Sequence, residues 1–148
     1  MSRAALRSVP SGTPAVALGP VAKLRLAVEI VSDYARVRWW LSRRTLPATV
    51  ARVRRSGGGP VRETGDARAT AFRLARAMGR TLEPLPTDSR CLMRSLVLSA
   101  LLSRRGIGST LVIGTRSLPD FSAHAWVEVD GGAVLPDGSG EYGRILEI

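Results

Sequence analysis

Cys91 and His124 are the only cysteine and the only histidine in a chain of 148 residues. A thiol and an imidazole together can carry out acyl transfer: the imidazole takes the proton and the thiolate attacks a carbonyl carbon. Cys91 lies in "PTDSRCLMRS", where a turn-rich segment gives way to a long apolar helical pattern. The start of a helix presents free backbone N–H groups, which favour negative charge there and can hold an oxyanion. Arg90 and Arg94 act in the same direction. The plainer fate of a lone cysteine is a small apolar filler in a core. What argues against it is the single imidazole, in a strand that must pack near this helix. In "SAHAWVEV", Ala123, Ala125, Val127 and Val129 share one face, and His124, Trp126 and Glu128 the other.

A third group would orient the imidazole and stabilise its positive charge. The chain contains no asparagine and no glutamine, which excludes a papain-like Cys-His-Asn site with a glutamine oxyanion donor. A carboxylate is the natural alternative. If the chain turns at Asp130–Gly132, the segment Leu135–Asp137 returns alongside His124 and Ala125, which favours Asp137. An Asp-Gly pair is equally an ordinary turn signal. Glu128 shares the histidine face but lies about 13 Å along the strand, and Asp130 is farther still.

These residues need elements to hold them. The helix is "SRCLMRSLVLSALLSRRG", with Thr87, Asp88 or Ser89 available as its N-cap and Gly106 at its C-terminal end. Cys91, Ser95, Leu98 and Leu102 form one stripe of it, facing a sheet. "GSTLVIGTR", "SAHAWVEV", "GAVLP" and "GRILEI" read as strands. Upstream, Pro20–Ser42 reads as an amphipathic helix with Val21, Leu24, Ala27, Val28, Val31, Ala35 and Trp39 as its apolar stripe. Trp39 and Trp40 suit packing against the core or a partner, or a lipid interface. Thr45 and Pro47 suit the start of a short basic helix. The glycines of Ser56–Pro60 mark an internal boundary. Thr64–Arg80 reads as a helix with Ala67, Ala71, Leu74, Ala75 and Met78 inward and Arg68, Arg73, Arg76 and Arg80 solvated. Helices first, then one helix feeding an antiparallel sheet, is an α+β arrangement. The domain reading is a mobile N-terminus over 1–19, an arginine-rich helical region over 20–63 and a core over 64–148.

Composition narrows the function. Net charge is +10, and Lys23 is the sole lysine beside many arginines. That balance invites a nucleic-acid partner, but the arginines are scattered and no reading motif is present, so none is expected. A solvated basic surface or an acidic partner accounts for it equally. Lys23 follows Ala22, which rules out a GxxxxGK[ST] phosphate loop, and one cysteine with one histidine falls short of a structural zinc set. Neither cofactor nor metal is expected. No apolar run reaches the length of a membrane span and no signal peptide is read; an unpaired cysteine fits the cytoplasm. Peripheral membrane contact stays open.

The order Cys, His, Asp, with cysteine on a helix and the others on successive strands, is the transglutaminase-like arrangement. "CLMRSLVLSALLSRRGIGSTLVIGTR", "AHAWVEVDG" and "LPDGSG" together resemble the stand-alone leader peptidases of lasso-peptide biosynthesis, the peptidase half of a split B protein. The resemblance covers residues 65 to 148 well, and the arginine-rich helices before them only in general character. It implies a transglutaminase-like, papain-type core and a cysteine peptidase with Cys91 as nucleophile, His124 as base and Asp137 as orienting carboxylate. It further implies a precursor peptide as substrate, usually with threonine as the penultimate leader residue. A small leader-binding recognition protein and a separate cyclase complete the set of partners. Trp39, Trp40 and Trp126 are the aromatic residues placed to touch substrate or partner. A transglutaminase-like acyltransferase and a basic nucleic-acid-binding module are the alternatives.

Overall fold

The computed structural model describes residues 19–57, 67–84, 90–117, 121–135 and 142–148. Within them the order is α1 (Pro20–Arg43), α2 (Leu46–Arg55), α3 (Ala67–Leu82), α4 (Arg90–Arg104), β1 (Thr110–Arg116), β2 (Ser122–Val129), β3 (Gly132–Ala133) and β4 (Gly143–Glu147). The fold is α+β, as the order of patterns predicts. The strands form one antiparallel sheet in the order β3-β2-β1-β4. The N-terminal segment before Gly19, most of the glycine break and the cap residues Thr87, Asp88 and Ser89 lie outside the described residues.

Helix α4 is the axis of the molecule. Met93 and every residue from Ser95 to Leu102 are buried, because α1, α2 and α3 cover it on one side and β1 and β2 on the other. A helix apolar all round is stable only when enclosed in this way. Gly106 ends it in the left-handed conformation (φ 69). There the Ile107 N–H donates to Leu102 O and the Gly106 N–H to Ser103 O, the paired bonds of a Schellman cap. Ile107 and Leu102 are both buried at this cap.

Helix α3 follows its predicted stripe: Ala67, Ala71, Leu74, Ala75 and Met78 are buried and the four arginines are exposed. Thr45 stands at the N-cap of α2 without a side-chain cap bond, and Pro47 falls in its first turn.

Helix α1 departs from expectation. Val21, Leu24, Val28, Val31, Ala35 and Trp39 face solvent, while Leu26, Ile30, Asp33, Tyr34, Val37, Trp40 and Leu41 turn to the core. The helix carries two apolar faces, and spacing alone cannot rank them. Ion pairing decides the rotation. Asp33, 2% exposed, is bound by the Arg104 guanidinium, whose Nη1 donates to Oδ1 at 2.6 Å. Glu29 receives Arg104 Nη2 at 2.9 Å and Arg105 Nη2 at 2.8 Å. Only one face of α1 can bring both carboxylates to the end of α4.

The hairpin between β2 and β3 turns on Asp130 (φ 52) and Gly131 (φ 72). Two successive positive φ values match the twist of the flanking strands. Strand β3 is shorter than the predicted "GAVLP": pairing stops at Glu128–Ala133 and Val129–Gly132, with one further bond from the Val134 N–H to Val127 O.

Candidate active site

Among the described residues no β3 residue pairs with Ala125, and α4 reaches its carbonyl instead. The Ser95 hydroxyl donates to Ala125 O at 3.0 Å, in a fully buried contact. Cys91 is one helical turn before Ser95 and His124 is one residue before Ala125. Both sequence-predicted residues therefore lie close along the chain to a bond between α4 and β2. Cys91 is a free thiol, half-buried, with Met93 and Leu96 anchoring its helix in the core.

His124 is also half-buried, on the sheet face away from Ala125. Its ring stacks on Trp126, with centroids 6.0 Å apart and planes at 22°, and leans on Tyr142 at 5.3 Å and 36°. Space for these rings comes from Gly114, the direct cross-strand partner of His124. A Cβ at Gly114 would stand 2.9 Å from Tyr142 Cβ and 3.0 Å from the end of the Trp126 ring. The glycine therefore leaves its side-chain volume to the aromatic pair. A bulge in β4 follows at this point: Ile113 pairs with Leu146 and Gly114 with Arg144, leaving Ile145 without a partner. Such an extra residue re-aims the strand that carries it.

Trp126 is 3% exposed. Its Nε1–H donates to Glu128 Oε1 at 3.0 Å, and the Arg144 guanidinium sits 6.0 Å from its ring. Glu128 also accepts from Arg144 Nη2 at 2.5 Å. This carboxylate is therefore engaged away from the imidazole, and Asp130 sits in the turn. Asp137 lies outside the described residues.

Trp39 and Trp40 belong to α1. Trp39 is exposed beneath the Arg43 guanidinium, and Trp40 packs inward with Arg52 over its ring. Tyr142 and Gly114 are site residues that sequence reasoning does not find. Both depend on β4 pairing with β1, a non-consecutive contact with no local signature.

Two cavities flank α4. One, of about 340 Å³, lies between α3 and the start of α4 and is lined by Phe72, Arg76, Met78, Gly79, Arg94 and Leu135. Arg94 is about one helical turn from Cys91, which itself does not line this groove. The other, of about 270 Å³, surrounds Ser99 and Ser103 two to three turns farther along the helix. Its distance from Cys91 separates it from the thiol chemistry.

The sequence matches the Transglutaminase-like superfamily over residues 24–147. The chain belongs to this superfamily, whose members are typically cysteine-dependent hydrolases or transferases. The match begins inside α1, so it includes the N-terminal helices as well as the helix-and-sheet unit. No curated protein and no solved structure matches the chain.

Proposed function

We propose that the protein is a cysteine peptidase that removes the leader from a ribosomally made lasso precursor peptide. The observation that carries this reading is the Ser95–Ala125 bond, which joins the helix turn of Cys91 to the strand of His124. Superfamily membership supplies the chemistry such a pair performs. Asp137 is the orienting carboxylate in this reading. Its support is the sequence order: a chain that turns at Asp130–Gly132 brings the segment Leu135–Asp137 back alongside His124 and Ala125.

In the reaction, His124 takes the proton of the Cys91 thiol. The sulfur then attacks the carbonyl carbon at the leader–core junction. The C–N bond breaks as His124 returns the proton to the departing amine, leaving the leader as a thioester. Water, deprotonated by His124, attacks that thioester; the leader leaves as a carboxylic acid and the thiol is restored. Base catalysis of this kind contributes about 10²–10⁴-fold. The groove beside Arg94 is where the peptide lies. Trp126 acts under His124, holding the ring in place.

A small leader-binding protein delivers the substrate, with the arginine-rich helices as its docking region, and a separate cyclase consumes the product in the cytoplasm. Among the described residues no helix is long and apolar enough to cross a membrane. Incubation with the precursor peptide and the leader-binding protein, followed by mass spectrometry, tests the whole reading. Two fragments, one gaining a free amine and one a carboxylate, are expected. Full cleavage by Cys91→Ala sinks it, and a product joined to an added amine assigns the protein to acyl transfer instead.

A further inference from the structure

The outward face of α1 is the least expected surface of the protein. Among the described residues nine large apolar side chains are exposed, and five of them, Val21, Leu24, Val28, Val31 and Trp39, lie on this one face, with exposures from 47% to 70%. Residues on the solvent side of a packed helix are ordinarily polar. Here polarity is confined to the margins: Arg25, Arg36 and Arg43 along one side and Arg38 along the other, all exposed. The only acidic residues of α1, Glu29 and Asp33, are drawn to Arg104 and Arg105 at the end of α4, although Arg36 also stands 3.6 Å from Asp33, so Arg25, Arg38 and Arg43 carry most of the border charge. The face is therefore an apolar seam with cationic borders.

We propose that this face docks an amphipathic α-helix of another protein, whose own apolar seam is bordered by aspartate and glutamate. The spacing selects a helix. Val21, Leu24, Val28, Val31 and Ala35 follow a three-four-three-four repeat, the narrow seam along which two helices lie side by side. From Val21 to Trp39 it runs about 27 Å, enough for five turns of a partner. Helices that settle into a lipid surface present a broader face, rich in Trp, Phe and Leu, whereas this one is narrow and mostly valine and alanine. The borders select the partner's sign: a second copy of this chain would set cations against cations, whereas acidic flanks would meet them.

The proposal involves neither Cys91 nor His124, so its test uses the full chain with or without the thiol. The probe is a labelled synthetic peptide of about three heptads with leucine at the seam and glutamate on its flanks. A second peptide carries lysine on the flanks, and lipid vesicles of about 3:1 phosphatidylcholine to phosphatidylserine serve as a competing surface. Fluorescence anisotropy should show the glutamate peptide binding at least about 10-fold more tightly than the lysine peptide, and weakening as salt rises from about 0.05 to about 0.5 M. The double variant Leu24→Glu, Val28→Glu should lose that binding while its circular dichroism stays unchanged, since both side chains already face solvent. Equal or no binding of the two peptides overturns the proposal. So does uptake by vesicles without peptide binding, or a dimer in sedimentation velocity that the double variant abolishes.

Discussion

The hydroxyl of Ser95 and the carbonyl of Ala125 meet at 3.0 Å in the interior, beyond the point where the described pairing of β3 with β2 ends. This bond ties helix to strand; Cys91 stands one helical turn before Ser95, and His124 one residue before Ala125 on the opposite face of the sheet. Removing the hydroxyl leaves a buried carbonyl without a donor, a cost of about 1–3 kcal/mol. Ser95→Ala is expected to lower the urea midpoint accordingly. It should also reduce peptide cleavage in protein that remains folded, which a purely structural serine would not do.

Gly114 is the second expected point of sensitivity. Gly114→Ala adds a methyl between Tyr142 and Trp126. Overpacking of this kind costs about 1–3 kcal/mol. The rings under His124 must shift, so near-ultraviolet circular dichroism should change, and cleavage should fall more than stability does.

Arg104→Met removes the close guanidinium from buried Asp33 and leaves it the exposed Arg36 at 3.6 Å. Breaking a buried pair from one side costs about 3–5 kcal/mol. The double variant Arg104→Met, Asp33→Leu should recover much of that loss. Thermal unfolding of the four proteins of this cycle gives the coupling directly.

Acid should act through Glu29. Its hydrogen bond from Arg105, and then its attraction to that cation and to Arg104, outweigh burial and hold its carboxyl below the usual carboxylate range. A group depressed in the folded state stabilises above its unfolded pKa, about 4.3 for glutamate. That contribution is lost as pH falls from there through the lowered folded value. The melting temperature should therefore decline below about pH 4.3, and Glu29→Gln should flatten the decline.

Ser99 is buried on α4, and among the described residues its hydroxyl has no hydrogen-bond partner. Ser99→Ala removes an unsatisfied group at little loss of volume. Stability should be unchanged or rise by up to about 1 kcal/mol, read as a shift in the urea midpoint.

Much of this architecture is legible in the sequence, because the signals that carry it are local. The 3.6-residue stripe of α3, the alternation of β2 and the Asp130–Gly131 turn each act over a few residues, and the structure follows them. Cys91 and His124 could be singled out because each is the only residue of its type. What was not legible depends on distant partners. The rotation of α1 is set by Asp33 and Glu29 finding arginines more than seventy residues away. Tyr142 reaches His124 only because β4 pairs with β1, and Gly114 matters only for what stands over it. The spacing points to the face of Val21, Leu24, Val28, Val31 and Trp39, and it is the other apolar face, with Ile30 and Val37, that meets the core.

The clamp from Arg104 to Asp33 and Glu29 gives α4 a further property. Its last turn is fastened to α1, and Cys91 stands near its first turn, about 20 Å away along a helix enclosed on every side. A rod so held is a ruler. Anything seated on α1 stands at a distance from the thiol fixed by the number of residues in a helix, not by the slack of a loop. An inserted or deleted turn within α4 would therefore change where a bound chain meets the sulfur.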